Sequence, residues 1–468
     1  MTSSDSSEMM ALRGAMKEYV ETDDGYYKYE LVDEIEEEGY TTYVIRMVSQ
    51  KWLTEEEVNN PVWWHWLTMV VPDEVNSDHA LLFIRGGSTK SKQPDKADEL
   101  LVQTALTTKS VAASLHNVPF QPTEFVGDNA YGRPERKEDE IIAYGWRKFL
   151  EGGGKLEDTK WLARLPMTKA AVKSMDTMTD FTEKMEGVPT VEKFVVAGAS
   201  KRGWTTWTSA VVDDRVVAIA PAVIDVLNMF PSFDHHHKVY GYWVPAFGNY
   251  TFEGILDWQD SEEFYRLSQV TEPFTFREQL TLPKLILNST GDEFFVPDSW
   301  QFYWDELKGE KHIRSLPNTN HSMKGTDVFE TLVAFYQMVI TDTERPNFDW
   351  EVVNGKIHLQ TQATHPPSNI TLWQANNPKA RNFQLDTIGK AFQPTNIPIR
   401  EDGKYVLTVD EPQKGYTAFF AELTFPGLGV VPLKLTSGVV VTPDVYPFEV
   451  YESSSPKGKE RKESLTPQ

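Results

Sequence analysis

Cysteine is absent from all 468 residues. That excludes disulfides, thiolate zinc sites and a cysteine nucleophile together. Basic residues are in deficit: 46 Lys and Arg face 69 Asp and Glu, a formal net charge of −23. Phosphate backbones are bound mainly through Lys and Arg, so nucleic acid is not an expected partner, and anionic membranes are disfavoured for the same reason. No run approaches about 18 apolar residues, so no membrane span is expected. Neither a glycine-rich phosphate loop followed by Lys-Ser/Thr nor a GxGxxG after a strand occurs, and no cofactor is expected. The opening residues Met1-Thr2-Ser3-Ser4-Asp5-Ser6-Ser7-Glu8 lack a basic n-region and an apolar h-region. Location stays open between a cytosolic protein and an exported one whose leader is not part of this sequence.

What remains is a globular composition. With 40% hydrophobic and 12% aromatic residues the chain can build large cores, and its length suggests two or three domains. Residues 1–24 read as a polar arm with a short helix around Met9–Val20. Strand composition follows at Thr41–Val48 and Val62–Val71, preceded by the charged segment Asp33–Glu38, read as a hairpin or loop. Trp63-Trp64-His65-Trp66 reads as packing, because aromatics dominate buried area. From Ala80 onward, short apolar runs (80–84, 110–115, 194–197, 216–224, 285–287) alternate with helical segments. Strands apolar on both faces between helices mean a doubly wound, mainly parallel sheet, so residues 25–342 are expected to form an α/β domain. The aromatic-rich stretch 231–279 is expected to be a lid-like helical insertion. After the linker Asp342–Asn347, short strands with an Asn354-Gly355 hairpin signal indicate a β-sandwich over 345–450. Residues 453–468 are expected to be a disordered tail.

Gly198-Ala199-Ser200-Lys201-Arg202-Gly203 lies between the apolar run Phe194–Ala197 and a helical segment starting at Trp204. Strand, glycine-flanked serine, helix is the context of a nucleophile elbow, which lifts the hydroxyl above the sheet. The usual pattern has Gly two residues after Ser; Arg202 stands there. A serine needs a base oriented by an acid, and in such sheets the chain order is Ser, acid, His. Asp292, after the strand Lys284–Asn288 and a glycine turn, is the chosen acid. Glu293 and Asp298 are rivals, and Asp298 also suits the N-cap of a helix over Ser299–Leu307. His321 follows one more strand, Lys311–Leu316, and is the expected base; His312 stands at the wrong end of that strand. The backbone N–H of Lys201 and one from Gly87 or Ser88 are expected to bind the oxyanion. Adjacent histidines do not converge on one ion in a regular element, so His235-His236-His237 is not read as a site, and no metal is expected.

The segments 198–205, 291–295 and 316–322 resemble the signatures of the PhoPQ-activated pathogenicity-related proteins, a family that includes autocrine proliferation repressor-type proteins of amoebae. The resemblance covers about residues 15–450. It implies an α/β-hydrolase fold followed by a β-sandwich and carries a Ser-Asp-His triad onto Ser200, Asp292 and His321. It makes Arg202 a family trait, and it implies that export is common but supplies no substrate. Two functions are therefore expected to compete. One is a serine hydrolase cleaving an ester or amide of a small-molecule or peptide acyl substrate. The other is a non-catalytic, secreted signalling or binding protein on a hydrolase scaffold, with a protein partner at the β-sandwich. Since the triad is complete by His321, the sandwich is read as a prop for the hydrolase domain or as a positioning module.

Overall fold

Apolar runs that lie between helices set the architecture. The computed structural model describes residues 3–429 and 431–462. They fall into two units: Met1–Ile219, Gly248–Leu280 and Ser453–Gln468 in the first, Ala220–Phe247 and Thr281–Glu452 in the second.

The first unit holds strands β1 (Lys28–Glu37), β2 (Tyr40–Lys51), β3 (Val62–Pro72), β4 (His79–Ile84), β5 (Val111–Leu115), β8 (Lys193–Ala199) and the start of β9 (Val216–Ala222). A ribbon of β6 (Thr123–Glu124) and β7 (Glu135–Arg136) stands beside them in sequence. The sheet order is β1-β2-β3-β5-β4-β8-β9. Pairing is antiparallel from β1 to β5, and β4 pairs in parallel with both β5 and β8. Helices α1 (Ser3–Glu21), α2 (Glu99–Thr108), α3 (Asp139–Glu151), α4 (Arg164–Glu183), α5 (Lys201–Val212), α7 (Gly248–Phe252) and α8 (Glu262–Thr271) accompany them.

In the second unit the end of β9 continues to β10 (Lys284–Ser289) and β11 (Lys311–Leu316), the last two pairing in parallel. Helices α6 (Met229–Tyr240) and α9 (Val328–Ile340) belong here. Through β9 the order is that of the α/β-hydrolase fold. A separate antiparallel region follows. One sheet is β12 (Phe348–Val353), β13 (Lys356–Thr361) and β16 (Lys404–Leu407); the other is ordered β15 (Gln393–Ile397), β14 (Asn369–Asn377), β17 (Tyr416–Phe425), β18 (Leu433–Thr436). Strand β19 (Val440–Thr442) also pairs with β17, and a short helix α10 (Leu385–Ile388) precedes β15. The β12–β13 turn is Asn354-Gly355 with φ of 51° and 70°, the positive pair that a two-residue hairpin requires.

Three local expectations meet a different structure, at the N-terminus, at Ser299–Leu307 and in the tail. Asp33–Glu38, read as a hairpin or loop, falls in a hairpin: Asp33–Glu37 is half of edge strand β1, whose side chains are mostly exposed while its backbone pairs with β2. Charge on both faces protects an unpaired edge, so periodicity is silent there. The N-terminal segment forms a helix that is only outwardly polar: Leu12, Ala15, Met16 and Val20 of α1 are buried. Ser299–Leu307 forms two short 3₁₀ turns and not an α-helix, and Asp298 makes no side-chain cap. In the expected disordered tail, the Lys457 N–H donates to the Asp257 carbonyl, the Lys459 N–H to the Glu263 carboxylate, and the Glu262 N–H to the Lys459 carbonyl. Bonding of that kind carries no compositional signal. The rest of the expected tail, residues 463–468, lies outside the described residues.

Candidate active site

Ser200 is the single residue between β8 and α5, with φ 60° and ψ −126°. A non-glycine residue there stores about 1–3 kcal/mol and persists only where its surroundings impose it. Gly198 makes the turn possible: a Cβ there would come within 2.6 Å of the Arg202 carbonyl oxygen. Parallel pairing sets Ile84 of β4 opposite Gly198 of β8, so the loop after Ile84 and the Ser200 turn leave the same edge of the sheet.

That loop, Arg85–Ser88, is tightly specified. The Asn117 N–H donates to the Gly86 carbonyl at 3.0 Å, and Gln121 Nε2 donates to the Gly87 carbonyl at 2.8 Å. In a trans peptide the N–H points opposite to the C=O, so these bonds aim the Gly87 and Ser88 N–H groups away from the 117–121 segment. A Cβ on Gly86 would meet Arg202 Nη2 at 2.5 Å, so the arginine that replaces the usual elbow glycine lies against this loop. Arg202 also donates to the Val118 carbonyl through Nε.

Glu138 and Gln121, which motif reasoning did not single out, complete this side. Glu138 Oε2 lies 2.9 Å from Lys201 Nζ, and Oε1 accepts from Arg202 Nη2 at 2.7 Å and from Gln121 Nε2 at 2.6 Å. Burial alone would raise the Glu138 carboxyl, but Lys201 and Arg202 outweigh it and hold it at about 2. Asp139 shares Lys201 Nζ at 2.9 Å and accepts from the Tyr250 hydroxyl at 3.0 Å. Trp204 of α5 donates to the Thr271 carbonyl, and Trp146 packs against Tyr250 and Phe264. These three residues of the 231–279 stretch therefore pack on α3 and α5.

In the second unit, β10 and β11 pair with Asn288 opposite Ser315, so the loops carrying Asp292 and His321 leave one edge. Both Asp292 oxygens face His321 Nδ1, at 3.0 and 2.8 Å. Asp292 is buried, and its Oδ1 also accepts the Phe294 and Phe295 N–H groups at 2.7 and 3.3 Å. Phe294 covers the imidazole at a ring distance of 4.4 Å, and the Glu293 carboxylate accepts the His321 backbone N–H at 2.7 Å. A histidine oriented through Nδ1 by a buried carboxylate has Nε2 left for proton transfer.

The rival acids have other tasks. Glu293 holds the histidine backbone as above. Asp298 is buried between His235 Nε2 at 2.8 Å and Arg381 Nη2 at 2.7 Å, and those partners hold its carboxyl well below the usual range despite the upward push of burial. The three neighbouring histidines diverge. His235 pairs with Asp298 and Tyr446, while His236 stacks on Trp243, its imidazole pushed down to about 3 by burial and then by its histidine neighbours. His237 donates to the Glu449 carbonyl. Among the described residues no group of three or more His, Asp or Glu side chains is arranged to hold a metal, and no helix is long and apolar enough to cross a membrane.

Segment 384–392, also unmarked in the sequence, buttresses both loops. The Leu385 N–H donates to the Gly291 carbonyl at 3.1 Å and Gln384 Nε2 to the Glu293 carbonyl at 3.2 Å. Asn318 and Phe392 exchange two bonds of 2.9 Å each.

The model of the PhoPQ-activated pathogenicity-related proteins matches residues 16–384. The chain belongs to this family. It is 36% identical over 460 residues to the autocrine proliferation repressor protein A of Dictyostelium discoideum, covering 92% of this chain and 91% of that one. Among solved structures it is similar to an acetyl xylan esterase from Paenibacillus sp. R4, with TM-score 0.49 and 15% identity over 71% of this chain and 94% of that one. Acetyl xylan esterase 1 from Thermoanaerobacterium sp. JW/SL YS485 gives a TM-score of 0.46 and 14% identity over 70% and 92%. At these values neither structure says anything of this family member's substrate.

Proposed function

We propose that this protein is a serine hydrolase that cleaves an ester or amide bond through Ser200, His321 and Asp292. The observation that carries the reading is the buried Asp292 carboxylate facing His321 Nδ1 with both oxygens. The strained backbone of Ser200 at a strand–helix turn supports it. In the proposed reaction His321 Nε2 takes the Ser200 hydroxyl proton as Oγ attacks the acyl carbon, then returns it to the leaving oxygen or nitrogen. Water repeats the exchange and frees the acid. Asp292 fixes the tautomer and stabilises the imidazolium. The N–H of Lys201 and that of Gly87 would hold the oxyanion, each donor contributing about 10²–10³ in rate.

Labelling with a fluorophosphonate probe tests this. Wild-type protein should label at Ser200, Ser200→Ala should take up nothing, and His321→Ala and Asp292→Asn should label at least a hundredfold more slowly. An unlabelled wild type, or a Ser200→Ala protein that labels equally, refutes the proposal. Short acyl esters and aminoacyl amides then separate the two bond types. A second reading, a signalling or binding protein that does not use the site, is favoured by the name of the Dictyostelium relative, a proliferation repressor. It predicts that Ser200→Ala keeps full biological activity.

A further inference from the structure

We propose that Glu138 is a positioning residue that holds the two halves of the oxyanion hole in one geometry. The inference rests on the serine-hydrolase reading and deepens it.

Its first support is conformational. Glu138 has φ 52° and ψ −127°, nearly the angles of Ser200. Such a backbone is as costly for a glutamate as for a serine, and the surroundings must over-determine it. They do: the Glu138 N–H donates to Gln121 Oε1 at 2.7 Å while Gln121 Nε2 donates back to Glu138 Oε1. The strained turn thereby aims a carboxylate at the two residues that follow the nucleophile.

The second support is connectivity. One carboxylate binds Lys201 and Arg202 on the elbow side. Through Gln121 it reaches the other side, where that amide holds the Gly87 carbonyl and the Gln121 carbonyl accepts the Thr89 N–H at 2.7 Å. The N–H groups assigned to the oxyanion come from these two segments, so the separation between them is set by the Glu138–Gln121 pair.

The third support is electrostatic. Lys201 and Arg202 put two cations in the first turn of α5, where the helix dipole is already positive. Left alone they would repel each other and the helix end. Glu138, with Asp139 on the far side of Lys201 Nζ, neutralises them and keeps the Arg202 guanidinium folded against Gly86, where there is no room for a Cβ.

The test is the rate of Ser200 phosphonylation by the fluorophosphonate probe, resolved into its binding constant KI and its maximal rate kinact, with thermal melting alongside. Phosphonylation develops charge on an oxygen that sits in the hole, so loss of donor geometry lowers kinact and spares KI. Glu138→Ala should lower kinact about 10- to 100-fold, on the scale of one oxyanion donor, with KI within twofold. Glu138→Gln, which keeps hydrogen bonding and loses the charge, should recover part of the rate. Gln121→Met keeps the Glu138 carboxylate and its Lys201 and Arg202 partners but removes the Gln121 side-chain bonds to the Gly87 carbonyl and to Glu138; it should lower kinact severalfold, and it decides the matter if Glu138→Ala fails to fold. Wild-type kinact in any of these folded variants, or a loss confined to KI, overturns the clamp. A wild-type protein that does not label at all overturns the hydrolase reading instead.

Discussion

Replacing Gly291 by alanine should injure the proposed site without touching a side chain of the triad. A Cβ at this position would lie 2.7 Å from the Thr319 carbonyl oxygen, 2.8 Å from the Leu385 amide nitrogen and 3.0 Å from the Leu385 Cβ. Ordinary contact begins near 3.4 Å, so the closest approach is short by about 0.7 Å, and two of the obstacles are backbone atoms that cannot rotate away. Those same atoms belong to the ladder holding this corner: the Gly291 N–H donates to the Thr319 carbonyl, and the Leu385 N–H donates to the Gly291 carbonyl. Relief must therefore separate the acid loop from the base loop or from segment 384–385. Overpacking of this kind costs about 1–3 kcal/mol, and each kcal/mol lowers the melting temperature of a domain of this size by roughly 2–4 °C. A shift of about half that shortfall at Asp292 stretches its bond to His321 Nδ1 beyond 3 Å, and misplacement approaching 1 Å costs on the order of a hundredfold in rate. Gly291→Ala should thus lower fluorophosphonate labelling about 10- to 100-fold and melt several degrees earlier. Gly248→Ala, where nothing lies within 4 Å, is the control. If Gly291→Ala labels and melts like the control, the reasoning from this corner is wrong.

Asp225 is buried and its carboxyl is pushed up to about 8 from an ordinary 3.8, first by burial and then by the charges of Asp292 and Asp298, against the hydrogen bond that the Tyr303 hydroxyl donates. The folded protein keeps this proton where the unfolded chain has lost it, so the group's contribution is full below about pH 4 and disappears as pH rises towards 8. The melting temperature of Asp225→Asn relative to wild type should therefore climb across that window; a difference independent of pH refutes the assignment. Truncation after Thr341 removes the Thr436 hydroxyl that accepts the buried Ser315 N–H at 2.9 Å and the Val439 carbonyl that accepts Trp300 Nε1 at 2.8 Å. It also uncovers β11, the last strand of its sheet, which lies against β18 in the intact chain, so the fragment should aggregate. A soluble fragment labelled at the wild-type rate shows instead that the antiparallel region is a detachable accessory.

The apolar runs were legible because a strand buried on both faces has nothing but apolar side chains to show. Ala80–Ile84, Phe194–Ala197 and Leu285–Leu287 all become sheet strands. A doubly wound α/β domain followed from their alternation with helices, its α/β-hydrolase type only from the family resemblance, and the Asn354-Gly355 turn followed from the positive φ that two-residue hairpins demand. Edge strand β1 was not legible, because backbone pairing holds it and its acidic side chains remain in water. The arrangement at Asp298 was not legible either. A short acidic residue before a helical stretch looks like a cap, whereas its real partners, His235 and Arg381, are distant in sequence and share no spacing rule.

The same limit explains why three residue types on three loops could be nominated for the proposed triad while Glu138, Gln121 and Gln384 could not. A triad has a fixed chemistry and a fixed chain order, so letters and spacing suffice to nominate it. The groups that hold the loops of the proposed triad are chosen for reach and geometry, and many residues would serve elsewhere on the chain. Arg202 marks the boundary between the two kinds of information. At the elbow it looks like a departure from a glycine rule, yet the space that rule protects is still there, because Gly86 on the facing loop lacks the Cβ that would collide with the guanidinium. The small residue has moved from the helix side of the turn to the loop side, and a cation anchored by Glu138 occupies the vacated place. A pattern written for one strand of chain sees a mismatch; the pair of positions keeps the close approach that the turn requires.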